Sequence, residues 1–295
     1  MLSMPLAAAL VLGACSGGSD QAQPQDSPFP SAAPSEAPGP SGGGRSSLSG
    51  RIAFDNFEDV WTINADATNL TRLTHSPAPE FDPSWSPDGM QIAFRSERSG
   101  EPEIWVMNAD GTGPRRLTDG LSPAWSPDGS LIAFSGREGL SVIRPDGTDR
   151  RVLPHTEGGE YPSWSPDGSR IAFNSNLTGD HVMYIAQADG SAVVDLSKVG
   201  EGWQVAWSPD GRSILFTSHR DHPDNYTDVY VMRPDGSGIR RLTHEVGQTP
   251  AWSPDGEHIV FSAPSLFTMD PDGTDVRALP TPGVIGETQL PDWTD

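Results

Sequence analysis

The sequence predicts an all-β chain folded as a six-bladed β-propeller of four-stranded blades. Three observations predict it. First, "WSPDG" stands at Trp85–Gly89 and recurs at Trp125–Gly129, Trp164–Gly168, Trp207–Gly211 and Trp252–Gly256. Second, these tryptophans lie 40, 39, 43 and 45 residues apart, the period of a propeller repeat. Third, each period holds short runs rich in β-branched and aromatic residues, bounded by Asp and Gly, and no stretch sustains a helical period.

Four strands fit each unit. Strand A surrounds the "SW" pair, strand B is "IAF", strand C is "IWVM" and strand D is "RRLT". From the Trp of strand A to the Phe of strand B the step is always nine, as in Trp85 to Phe94 and Trp252 to Phe261. Strand C carries Trp61, Trp105, Tyr184, Tyr230 and Phe267 at one fixed place, with Ser141 as the exception. From that place to the Leu of strand D the step is always twelve. The B–C and D–A connections vary in length. In an up-and-down sheet the constant A–B and C–D turns share one face, so all variation falls on the other, where binding residues are expected.

The constant turns have a physical reading. In "SPDG" proline presets φ, aspartate bonds the local backbone and glycine takes positive φ. "RPDG" at Arg144–Gly147 and Arg233–Gly236, "DPDG" at Asp270–Gly273 and "NADG" at Asn108–Gly111 serve the C–D hairpins in the same way. These aspartates are assigned to the scaffold, because a calcium loop needs alternating oxygen ligands and a late bidentate carboxylate.

The first repeat, "GRIAF" at Gly50–Phe54, begins at strand B. The last stretch, "LPDWTD", is a strand A whose Trp293 follows Trp252 by 41 residues. The expectation is that this strand A joins the N-terminal strands B, C and D, so that six blades close with no free edge.

With these residues in hand, the repeat resembles the PD40 (WD40-like) repeat of TolB-type propellers, from Gly50 to Asp295. The resemblance implies a six-bladed propeller of periplasmic or extracellular type. Similar propellers in oligogalacturonate lyases hold a metal in the channel, which implies a second reading: a channel-centred, metal-dependent enzyme acting on polysaccharide.

The N-terminal region reads differently. Leu6–Leu12 is a short apolar run followed by "LGAC", ending at Cys15, the one cysteine of the chain. This looks like a lipoprotein signal, with residues 1–14 as signal peptide and Cys15 as the lipidated residue. The run is too short to span a bilayer. Residues 15–49 are rich in Ser, Pro, Gly and Ala and bury too little apolar surface to offset chain entropy, so a disordered tether is expected there. Residues 50–295 form the propeller. The expected location is extracytoplasmic, with the lipid anchor as the sole membrane contact.

Composition narrows the partners. Lys+Arg 19 against Asp+Glu 40 gives a net charge of -21, which excludes the electrostatic footprint of a nucleic-acid binder. The sequence has no GxSxG elbow, HExxH helix, P-loop or GxGxxG opening a helix, so no motif-dependent enzyme and no cofactor is predicted. What remains is the set of residues that the repeat does not require. The D–A loops place Glu80, Asp82, Glu160, Tyr161, Trp203, Gln204, Gln248 and Gln289 just before the innermost strands, where they are predicted to ring the channel mouth. Trp203 is the only tryptophan outside strands A and C, and an aromatic there suits a sugar or a peptide. His75, His155 and His244 follow strand D in blades 1, 3 and 5; three convergent imidazoles would bind a divalent metal. The longest B–C loop, Ser218–Asp228, holds His219, Asp221, His222 and Asp224, which read as an exposed polar insertion or a metal or partner loop. The leading expectation is a monomeric binding module for an envelope protein, peptide or glycan on the variable-loop face.

Overall fold

The structure is a computed structural model. It describes residues 48–176, 181–221, 226–244 and 246–295. Cys15, His222 and Asp224, with the signal and nearly all of the tether, lie outside the described residues.

The unit Ser46–Asp295 folds into six antiparallel sheets of four strands. Blade 1 contains β1 (Arg51–Asp55), β2 (Val60–Asn64) and β3 (Thr71–Arg72). Blade 2 is β4 (Glu80–Trp85), β5 (Gln91–Ser96), β6 (Glu103–Asn108) and β7 (Arg115–Asp119). Blade 3 is β8 (Leu121–Trp125), β9 (Ile132–Gly136), β10 (Gly139–Ile143) and β11 (Arg151–Val152). Blade 4 is β12 (Gly159–Trp164), β13 (Arg170–Ser175), β14 (Val182–Gln187) and β15 (Val193–Asp195). Blade 5 is β16 (Trp203–Trp207), β17 (Ile214–Ser218), β18 (Asp228–Met232) and β19 (Arg240–Arg241). Blade 6 is β20 (Gln248–Trp252), β21 (Ile259–Ala263), β22 (Ser265–Met269) and β23 (Arg277–Leu279). The fourth strand of blade 1 is β24 (Gln289–Thr294), which pairs with β1 through Ile52 opposite Trp293 and Ala53 opposite Asp292. The Trp293 indole N–H donates to the Ser49 carbonyl at 2.9 Å. A single 3-10 turn, Ser197–Val199, is the helical content of the described residues.

The "IAF" strands show why the repeat is spaced as it is. Successive side chains of a strand face opposite ways. Ile52 and Phe54 pack toward blade 6, with Ala251, Val260 and Leu266. Ala53 packs the other way, with Ile92, Phe94 and Met107 of blade 2. Blades 1 to 4 therefore offer two large residues to one neighbour and an alanine to the other, with Leu215 and Val260 in the alanine's place in blades 5 and 6. Phe54, Phe94, Phe134, Phe173 and Phe216 are all fully buried in this way, each worth about 1.5–3 kcal/mol of transfer free energy.

The WSPDG segments are turns. The Gly89 N–H donates to the Ser86 carbonyl at 2.8 Å, and Gly89 has φ of 64°. The Ser86 hydroxyl donates to Asp88 at 2.6 Å and accepts the Gln91 N–H at 2.9 Å. The same Ser-to-Asp bond recurs at Ser126–Asp128, Ser165–Asp167, Ser208–Asp210 and Ser253–Asp255. These hydrogen bonds hold the carboxyls below their ordinary range; at Asp167, bonds from Ser165 and Ser169 lower it to about 2.

Candidate binding site at the channel mouth

The innermost strands are β4, β8, β12, β16, β20 and β24, and each carries a β-bulge in its pairing with the next strand of its blade. The bulge lies at the residue three before the Trp. These six residues are Asp82, Ser122, Tyr161, Gln204, Thr249 and Leu290, and all have φ between 45° and 53°. They are six of the thirteen non-glycine positive-φ residues among those described, so the strained backbone is concentrated on one ring. Five are followed by proline, whose missing N–H is tolerated on a strand that faces a channel instead of another strand. All six line a central cavity of about 320 Å³.

A second ring supports the first. The residue after the strand-B Phe is polar in every blade: Asp55, Arg95, Ser135, Asn174, Thr217 and Ser262. Asp55 accepts the backbone N–H of Asp82 at 3.2 Å, and Asp82 accepts the backbone N–H and hydroxyl of Ser122 at 3.1 and 3.2 Å. A carboxylate relay thus ties blades 1, 2 and 3. Burial, and then the charge of Asp82, push the Asp55 carboxyl up to about 8. Burial also raises Asp82, against the opposing pull of Arg95 at 4.0 Å. Asp292 is the one charged group one residue before the Trp in the six inner strands. Its carboxylate accepts the Trp85 N–H at 2.6 Å, and burial raises it to about 6.

The predicted mouth residues lie within the inner strands themselves, not in the loops before them, because the pairing of each inner strand with the next extends past its bulge, and they divide into four groups. Tyr161, Trp203, Gln204 and Gln248 converge on a second cavity, of about 500 Å³, together with Thr217, His219 and Thr227. Asp82 lines the central channel. Glu160 and Gln289 occupy the position four before the Trp, equivalent to Trp203 and Gln248, but line neither cavity. Glu80 stands one residue further out and points into its own blade. It is fully buried, with the Ser96 hydroxyl at 3.1 Å and the Arg98 guanidinium on its carboxylate. In four other blades this place is glycine: Gly120, Gly159, Gly202 and Gly247. A Cβ at Gly120 would lie 2.5 Å from Phe134, and at Gly202 2.8 Å from Met183. That glycine recurrence is the signal in the sequence that distinguishes position 80 from its neighbours. The polar residue after each strand-B Phe is the signal for the supporting ring.

Trp203 is fixed in place by two imidazoles. His181 and His219 lie 5.2 and 5.0 Å from it, tilted by 47° and 44°. His219 Nε2 in turn lies 2.7 Å from Glu201. The other histidines behave differently: His75, His155 and His244 are each exposed. Among the described residues no three His, Cys, Asp or Glu side chains are grouped as a metal ion requires. Asp221 accepts the Tyr230 hydroxyl at 2.8 Å. No helix of the described residues is long and apolar enough to cross a membrane.

Six four-stranded antiparallel blades around a bulged, side-chain-lined channel define the class: a six-bladed β-propeller. The chain belongs to the TolB beta propeller family, PD40, whose family model matches residues 32–207. An uncharacterised protein of Agrobacterium fabrum is 37% identical over 65 residues, 22% of this chain and 22% of that one. A TolB homolog of Chlorobium luteolum is 31% identical over 129 residues, 39% of this chain. The matches span 22% and 29% of the length of these two relatives. The crystal structure of TolB from Acinetobacter baumannii superposes with a TM-score of 0.73 at 23% identity, covering 84% of this chain and 67% of that one.

Proposed function

We propose that the protein is an extracytoplasmic binding module of the cell envelope that presents its variable-loop face to an envelope component. The observation that carries this reading is the convergence of Tyr161, Trp203, Gln204 and Gln248 on one open cavity at the channel mouth. None of the four is required by the repeat, and all four carry groups able to hold a ligand. Membership of the TolB propeller family, whose relatives include proteins of the Tol-Pal system, supports an envelope protein as partner. The "LGAC" stretch supports attachment through lipidated Cys15, with residues 15–49 as tether.

The test is co-purification from envelope extract with wild type and a Trp203→Ala/Glu160→Ala variant. Loss of at least one partner in the variant is the expected result; identical partner profiles would remove the channel mouth from the function. Attachment is tested separately. Cys15→Ser is expected to move the protein from the membrane to the soluble fraction, and unchanged membrane association would refute the anchor.

A further inference from the structure

We infer that the 500 Å³ cavity at the mouth, between blades 4, 5 and 6, is a binding site for an uncharged saccharide. The inference rests on the binding-module reading above and names the chemistry of its ligand.

The lining carries the argument. It consists of two aromatic rings, Tyr161 and Trp203, two side-chain amides, Gln204 and Gln248, two threonine hydroxyls and the imidazole of His219. Among the described residues that line it there is no aliphatic side chain, carboxylate, lysine or arginine. Amides and hydroxyls both donate and accept, which matches a ligand whose every substituent is a hydroxyl. Rings beside them suit the apolar C–H surfaces of a sugar. The volume falls in the roughly 300–1,000 Å³ range of small-ligand sites.

Some of the hydrogen-bonding groups are also free. Gln204 takes the Thr217 hydroxyl on its Oε1 at 3.0 Å, and its amide N–H groups have no partner among the described residues. Thr227 Oγ1 is buried with no partner among the described residues. Buried polar groups are normally paired, so the open valence at Thr227, beside the amides of Gln204 and Gln248, suits a polar occupant. Trp203 is pre-positioned by His181 and His219, which removes the ordering cost of the ring.

Charge selects among polar ligands. A basic peptide would need a free carboxylate in the lining. Among the described residues no carboxylate lines the cavity: Asp82 and Glu160 stand near Tyr161 outside the lining, and Glu201 is already held by His219 at 2.7 Å. An acidic sugar would meet no cation in the lining and a chain of net charge -21. A neutral, hydroxyl-rich ligand is the class that this lining satisfies.

The experiment titrates the full-length protein with three uncharged hexasaccharides (maltohexaose, cellohexaose and the N-acetylglucosamine hexamer), with hexagalacturonate and with hexalysine. It is read by calorimetry and tryptophan fluorescence. At least one uncharged sugar is expected to bind, with about tenfold loss in Trp203→Ala and in Gln204→Ala, the scale of one unpaired buried polar contact. Unchanged melting temperatures show that the variants fold. Binding of hexagalacturonate or hexalysine alone, binding by none, or equal binding by Trp203→Ala would overturn the inference. Trp203-dependent capture of an envelope protein with no saccharide binding would overturn it too, while leaving the binding-module reading standing. Trp203-dependent saccharide binding with identical extract profiles would uphold the inference and remove the extract-based reading.

Discussion

Glu80 separates scaffold from site, and its removal has a calculable effect. The side chain is fully buried, and one carboxylate oxygen takes both the Ser96 hydroxyl and the Arg98 guanidinium. Arg98 lies 4.0 Å over the Trp105 ring, with 27% of its side chain exposed. In Glu80→Ala that guanidinium stays against the ring without its counter-ion. Breaking a buried pair from one side costs about 3–5 kcal/mol. The partial exposure of Arg98 lets water recover some of this, so about 2–4 kcal/mol is expected. In a domain of this size each kcal/mol shifts Tm by about 2–4 °C, which gives a fall of roughly 5–15 °C. Calorimetry on wild type, Glu80→Ala, Arg98→Met and the double variant measures both the loss and the coupling, expected to exceed about 1 kcal/mol. Partner capture from envelope extract is expected to survive. A Tm change below about 2 °C, or capture lost at unchanged Tm, would refute the reasoning and return Glu80 to the ligand surface.

Further outcomes follow from the same contacts. The channel carboxyls Asp55 and Asp292 hold protons up to about pH 8 and 6 when folded, against an ordinary value of 3.8. The folded state is therefore the more protonated one above pH 4, and stability falls as pH rises from about 4 to 8. The turn carboxyl Asp167 acts oppositely: it sits at about 2 when folded, so its contribution is present above about pH 4 and lost as pH falls toward 2. Melting curves are expected to peak at about pH 4, and a Tm rising between pH 6 and 8 would contradict the assignment. Gly120→Ala drives a Cβ to 2.5 Å from Phe134 between blades 2 and 3. It should lower stability by about 1–3 kcal/mol, and an unchanged urea midpoint would show that the blades yield at that contact.

The fold was legible because its signals repeat. The fixed step of nine from Trp to Phe is a hairpin of constant length, and the alternation within "IAF" is the inter-blade packing itself. Six sheets of four strands follow from that arithmetic. The site was legible only in part, because a D–A loop enters the inner strand at an angle that sequence does not encode. Tyr161, Trp203, Gln204 and Gln248 share a cavity, whereas Glu80, two residues from Asp82, turns into the blade. Ser122, Thr249 and Leu290 line the channel beside Asp82, yet nothing in their chemistry marked them. Selecting polar, off-template residues finds side chains able to bind but passes over those that share the same backbone position. The three histidines at blades 1, 3 and 5 show the other limit: alternate-blade symmetry places residues at equivalent sites without turning them toward a common point, and all three are exposed.

The bulge three residues before each tryptophan has a wider consequence. Its backbone shape is held by the strand pairing on either side, and six chemically different residues, Asp82, Ser122, Tyr161, Gln204, Thr249 and Leu290, adopt it alike. Geometry and identity are uncoupled there. The inner rim works like the barrel of a lock with six pins, each cut to its own height without reshaping the housing. Substitutions at these positions change the lining of the channel one side chain at a time, with Asp82 as the one that also ties neighbouring blades, while the repeated turns continue to hold the ring.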